Sequence, residues 1–213
     1  MRLPARNATE LHWLSEETLI MAGHGGGPRA IRSGVLLEEA QRHLGLRPLP
    51  APHRKVDATG RPAGMRDWPA GQSGSFSHWG DYTLCLLHRG TGLHWGVDLE
   101  EIPDAQTTQE ILSIALDQNE RDLLSQTRCG IGSEGLARRA VSVFSAKESF
   151  YKAAYPKVGT FFGFDALRLA ASPTPTHLQF TVVRSLTTSL PAGKPVSIGC
   201  RATARAVISW CSL

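Results

Sequence analysis

The sequence predicts an α+β protein in which strands give way to helices and helices to strands. Two observations carry this. Runs with strand character fall within residues 10–21 and 81–100 and return in 178–213, whereas residues 107–155 carry helical periodicity. The 213 residues, 41% of them hydrophobic, suffice for one large unit or for two small ones that share a core.

Taken in order, Glu10–Met21 mixes polar and apolar residues as a strand with its return turn does, and Gly23–Arg29 (GHGGGPR) is a flexible break. Leu36–Leu44 reads as a short amphipathic helix with Leu36, Leu37, Ala40 and Leu44 on one face. Gly45–Gly74, rich in Pro, Gly and Arg, predicts a loop long enough to suggest a function. Asp81–His88 and Leu93–Glu100 predict strands joined by the turn Arg89-Gly90-Thr91-Gly92. Beyond Pro103, Thr107–Gln126 and Glu134–Tyr155 predict two helices, the second closed by Pro156. Leu178–Ser185, Pro195–Arg201 and Ala206–Leu213 predict the closing strands. No fixed-period repeat or low-complexity tract interrupts this order.

Composition narrows the function. Lys and Arg number 23 against 19 Asp and Glu, a net +4, and the excess is mostly Arg, which suits planar phosphate contacts. The basic residues form no stripe and do not interleave with aromatics, which argues against a nucleic-acid-binding module. A Walker-type GxxxxGK[ST] is absent. Cys85, Cys129, Cys200 and Cys211 show no zinc spacing, and no secretory signal or long apolar run occurs. A reduced, cytoplasmic protein without a membrane span is expected.

Three clusters carry chemistry. In Gly96-Val97-Asp98-Leu99-Glu100, Asp98 and Glu100 face one side of a predicted strand. Neighbouring carboxylates repel unless a cation lies between them, and such oxygen donors suit Mg²⁺. By itself the pattern also fits two exposed acids at a strand end. In Phe144–Lys152, Phe144, Glu148 and Lys152 form one helical stripe. A Glu–Lys pair at this spacing is common surface decoration, but Phe144, Phe150, Tyr151 and Tyr155 leave little of the helix for water. In Gly71–His78, glycines precede Ser77 and His78, which can each donate to a phosphate from a loop entering a strand. A hydrolytic Ser-His pair is disfavoured, because adjacent residues rarely face each other and no GxSxG elbow is present.

Together and in order, Trp68–His78 (WPAGQSGSFSH), Gly96–Glu100 (GVDLE) and Phe144–Lys152 (FSAKESFYK) resemble the 4'-phosphopantetheinyl transferase superfamily, in its larger monomeric class that includes the enterobactin-synthase type. The likeness runs from about Trp68 to Pro156 and continues weakly in Gly163-Phe164. It implies an α+β pseudo-dimer of two similar halves, residues 1–102 and 103–213, packed as a monomer with the active site between them. The implied reaction moves the 4'-phosphopantetheine arm of coenzyme A to a serine of an apo acyl or peptidyl carrier protein and releases 3',5'-ADP. It depends on Mg²⁺ (or Mn²⁺) and serves siderophore or secondary-metabolite biosynthesis.

The resemblance also implies roles. Asp98, Glu100 and Glu148 resemble the metal ligands, and Lys152 the lysine beside the pyrophosphate and pantetheine; Glu148 and Lys152 are the candidate catalytic residues, with Glu148 a candidate base, directly or through a metal-bound water, and Lys152 expected to act electrostatically. Lys147 resembles a residue near the coenzyme A phosphates. Ser77 and His78 resemble the pair at the 3'-phosphoadenosine end, and Lys55 loosely matches a coenzyme-contacting lysine. Glu120 stands where the family often has a glutamate. The family's basic pair before the long loop falls here at Gly34 and Glu38, so Arg29 or Arg32, from the preceding turn, is expected to substitute.

Overall fold

The computed structural model describes residues 1–49, 54–56, 62–66, 68–126, 133–171, 174 and 176–213. The chain opens on the hairpin β1 (Thr9–Ser15) and β2 (Thr18–His24), followed by α1 (Arg29–His43) and the short pair β3 (Arg54–Val56) and β4 (Pro62–Arg66). Strands β5 (Gln72–Trp79), β6 (Tyr82–Arg89) and β7 (Trp95–Glu101) come next. Helices α2 (Ala105–Ala115), α3 (Gln118–Gln126) and α4 (Ser133–Val158) precede β8 (Leu167–Leu169), β9 (His177–Val182), β10 (Pro195–Ala202) and β11 (Ala206–Ser212).

The strands form two larger antiparallel sheets, ordered β1-β2-β6-β5 and β7-β11-β10-β9-β8, beside the β3-β4 pair. Strand alternation explains how they stack. Leu19 and Met21 on β2, with Cys85 and Leu87 on β6, pack against Leu36, Leu37, Ala40 and Leu44 of the α1 segment. Their alternates Ile20, Ala22, Leu84 and Leu86 point the other way and meet Val97 and Leu99 of β7 and Ala206 and Ile208 of β11. The opposite face of the second sheet, with Val207, Cys211, Ile198 and Phe180, packs on α2 and α4. The layers are therefore helix, sheet, sheet, helix. Strands buried on both faces read as continuous apolar runs, as in LCLL of β6.

The α+β class and the strand–helix–strand order hold. Several boundaries differ, each for a local reason. Helix α1 starts at Arg29 directly behind extended Pro28, so the glycine-rich break is shorter than expected. Among the described residues of 45–74, the expected loop also carries β3, β4 and the start of β5. The stretch expected as one helix from Thr107 to Gln126 splits where Leu116 turns extended. There Glu120 N donates to the Asp117 carboxylate and Asp117 N to the Glu120 carboxylate, a reciprocal capping box that starts α3. Pro156 does not close α4. The helix runs to Val158 and ends at Gly159, whose positive φ of 73° suits glycine.

Candidate active site at the seam of β5, β7 and α4

Strand β7 is an edge of the second sheet and β5 an edge of the first. Gly96, Asp98 and Glu100 share the face of β7 that meets α4. Gly96 makes the close approach possible: a Cβ there would lie 1.9 Å from the Ser149 carbonyl oxygen and 2.8 Å from Ala153 N. With the helix backbone that near, Ser145, Glu148 and Lys152, successive along one side of α4, come down on the two acids.

Asp98 is the centre of the arrangement and only 3% exposed. Its Oδ1 accepts from Lys152 Nζ at 2.7 Å and from Ser77 Oγ at 3.2 Å, and its Oδ2 accepts from Ser145 Oγ at 2.8 Å. Lys152 Nζ also donates to Val97 O at 3.0 Å and to Ser77 Oγ at 3.3 Å. Ser77 Oγ in turn accepts from Leu99 N at 3.1 Å, which ties the two sheet edges together.

The acids perturb one another. Burial, then repulsion from Asp98, lifts the Glu100 carboxyl to about 7, with Glu148 adding to the effect and Lys152 opposing it. Burial and the Asp98 charge raise Glu148 as well, again against Lys152. Among the described residues no three His, Cys, Asp or Glu side chains form a ready-built metal cage. The donor set still suits a hard divalent cation: Glu100 and Glu148 are each raised by burial and by the Asp98 charge, and a bound cation would relieve that repulsion.

Glu148, Tyr151 and Lys152 form one wall of a cleft of about 500 Å³, whose other walls are Trp68–Phe76 and the Gly90–Trp95 turn. Trp68 stacks on Phe76 with ring centroids 5.8 Å apart and leans over Gly74, where a Cβ would lie 2.8 Å from the indole. On the far side of Glu148 and Tyr151 lies a second cavity of about 380 Å³, walled by Phe150, Phe161, Phe162 and Phe164.

The structure specifies where the other expected residues lie. Ser77 and His78 lie on strand β5, not on a loop, and alternation turns them to opposite faces. Ser77 joins Asp98, whereas His78 Nε2 lies 2.9 Å from Ser33 Oγ on α1. Lys147 is 4% exposed, and its Nζ donates to Ala115 O at 2.7 Å and to the Glu120 carboxylate at 2.8 Å. Glu120 also accepts from Leu169 N, so this pair fastens α4 to α3 and β8. Arg32 lies in the first turn of α1, not before it, and its guanidinium donates to Gly25 O, Gly80 O and Asp81. Lys55 is on β3, and its side chain falls outside the described residues. Two site residues escaped the sequence reading, Ser145 and Ser209, whose hydroxyls meet 2.8 Å apart behind Asp98. Ser145 stood inside the FSAKE segment; Ser209 had no sequence signal beyond a lone serine in an apolar strand.

Residues 94–190 match the sequence profile of ACPS, the 4'-phosphopantetheinyl transferase superfamily. The chain is 29% identical over 171 residues to Enterobactin synthase component D of Salmonella typhi and 28% identical over 171 residues to that of Salmonella typhimurium (strain LT2). Each of these matches covers 80% of this chain, and the chain spans 65% of the relative's length. A stretch of 86 residues is 37% identical to Enterobactin synthase component D of Escherichia coli O157:H7, covering 40% of this chain and 38% of that protein. Residues 94–190 are thus similar to the 4'-phosphopantetheinyl transferase superfamily.

Proposed function

We propose that the protein transfers the 4'-phosphopantetheine group of coenzyme A to a serine of an apo acyl or peptidyl carrier protein and releases 3',5'-ADP. The observation that carries this reading is the convergence of Asp98 and Glu100 on β7 with Glu148 and Lys152 on α4, two of the segments that match the family's motifs, with Glu148 and Lys152 lining the cleft. The Enterobactin synthase component D relatives favour a carrier of the siderophore or nonribosomal-peptide kind. The helix–sheet–sheet–helix layering supports a pseudo-dimer of residues 1–102 and 103–213, with the active site at their seam. The reading has one chain acting alone in the cytoplasm. No described helix is long and apolar enough to cross a membrane.

Asp98, Glu100 and Glu148 would hold a divalent cation, Mg²⁺ or Mn²⁺, which supplies charge neutralisation for the pyrophosphate. Lys152, already beside Asp98, adds positive charge where negative charge grows on the departing phosphate. Glu148 accepts the proton of the acceptor serine, directly or through a water, as its oxygen attacks the β-phosphorus and the bond to 3',5'-ADP breaks. A carboxylate that also holds the cation is a weak base, so transfer through a water fits this arrangement. His78 and the first turn of α1, with Arg29 and Arg32, form the candidate region for the 3'-phosphoadenosine end.

Chromatography of the nucleotide products tests this reading. With coenzyme A, Mg²⁺ and an apo carrier, 3',5'-ADP accumulates in step with holo-carrier. Release of 3',5'-ADP at the same rate without any carrier would instead mark a hydrolase of phosphate esters.

A further inference from the structure

We infer that Ser145 and Ser209 are positioning residues of this reaction, a buried hydroxyl relay that holds the Asp98 carboxylate in one orientation with Oδ1 turned to Lys152 and Ser77. The inference rests on the proposed function, in which Asp98 is a metal ligand.

The relay follows from the fold. Ser209 on β11 is the register partner of Asp98 on β7, and paired residues project from the same side of a sheet. That side faces α4, from which Ser145 descends one turn ahead of Glu148. Val207 and Cys211, the neighbours of Ser209 on this face, are apolar core. Ser209 is the polar exception, and both serines are fully buried at 0% exposure. A buried hydroxyl without a partner is unfavourable, so each must be spoken for.

Counting protons gives the relay its direction. Ionised Asp98 only accepts, so the Ser145 proton lies on the 2.8 Å contact to Oδ2. Ser145 Oγ then has lone pairs to offer but no second proton. The single Ser209 proton goes to Ser145 O at 2.7 Å, so Ser209 holds the Ser145 backbone while its oxygen lies 2.8 Å from Ser145 Oγ. Ser209 thus anchors Ser145 through its backbone, and the Ser145 hydroxyl fixes Oδ2 on the interior side. Oδ1 is left to Lys152 and Ser77.

Ser149 gives the control. It is equally buried on the same helix, but its hydroxyl donates to Ala146 O and touches none of the acids. The experiment measures Mn²⁺ affinity by electron paramagnetic resonance in the enzyme–coenzyme A complex without acceptor, and transfer kinetics beside it. Ser145→Ala is expected to weaken Mn²⁺ binding and kcat/KM by about 10-fold or more, in the range for residues that orient metal ligands. Ser209→Ala shifts both in the same direction by a smaller factor, and Ser209→Thr, which keeps a hydroxyl, recovers most of the loss. Ser149→Ala leaves both unchanged. Ser145→Cys keeps the shape with a weak donor and behaves as Ser145→Ala, so the comparison survives if the alanine variant folds poorly. If wild type binds Mn²⁺ and transfers the arm while Ser145→Ala and Ser145→Cys match Ser149→Ala, the relay is overturned. If wild type neither binds Mn²⁺ nor transfers the arm, the proposed function fails and the relay with it.

Discussion

Glu100 is a site residue whose chemistry departs from what its sequence suggests. An exposed glutamate titrates near 4.5, but here burial and two neighbouring acids lift it to about 7. The consequence has a sign. Between pH 4.5 and 7 the folded chain binds more protons at this carboxyl than the unfolded chain, so Glu100 subtracts stability as pH rises through that window. Glu100→Gln removes this slope. In metal-free protein, its stability relative to wild type is expected to improve by about 1–2 kcal/mol from pH 5 to 7.5, less than the full shift because solvent reaches part of the side chain. Denaturant melts across pH check it, and a constant difference would show that Glu100 ionises normally. Lys152 is tested by shape and charge. Lys152→Arg keeps the charge and should retain partial transfer, whereas Lys152→Ala should lose most of it. If arginine is as inactive as alanine, and activity rises with a lysine-like pKa, the base is Lys152 and not Glu148.

At the scale of elements, the site exists because α4 lies directly on β7, and Gly96 is what permits the contact. Gly96→Ala puts a Cβ 1.9 Å from a helix carbonyl, an overlap that only a shift of the helix relieves. Overpacking of this kind costs about 1–3 kcal/mol, and more where backbone must move. The variant should be destabilised by at least that much in urea melts, and transfer should fall because the acids and Lys152 separate. Wild-type stability would show that helix and strand are not so close. The alternation that puts Asp98 and Glu100 on one face was legible in the sequence, as was the stripe of Glu148 and Lys152. The capping box at Asp117 was also written there, although the run around it reads as one helix. The true partner of Lys147 was not legible, because its charge could be assigned only once the fold brought Glu120 and Ala115 beside it. Ser209 was hidden for the same reason: register with Asp98 is a tertiary fact.

Across the whole molecule, the strand–helix–strand order was readable because strand and helix periods differ. The layering was not. An apolar run such as LCLL shows that β6 is buried, and only the structure shows that Cys85 and Leu87 serve α1 while Leu84 and Leu86 serve the second sheet. Likewise, β7 comes from the first half of the chain but pairs with β11, so the proposed site is built where the halves interlock. The central claim is chemical, and intact mass spectrometry of an apo carrier protein tests it most directly. Incubated with this protein, coenzyme A and Mg²⁺, the carrier should gain the mass of one phosphopantetheine on its serine, with wild type but not with Asp98→Ala or Glu148→Ala. A carrier that stays unmodified with folded wild type, across acyl and peptidyl carriers alike, or one modified equally well by Asp98→Ala, would contradict the account.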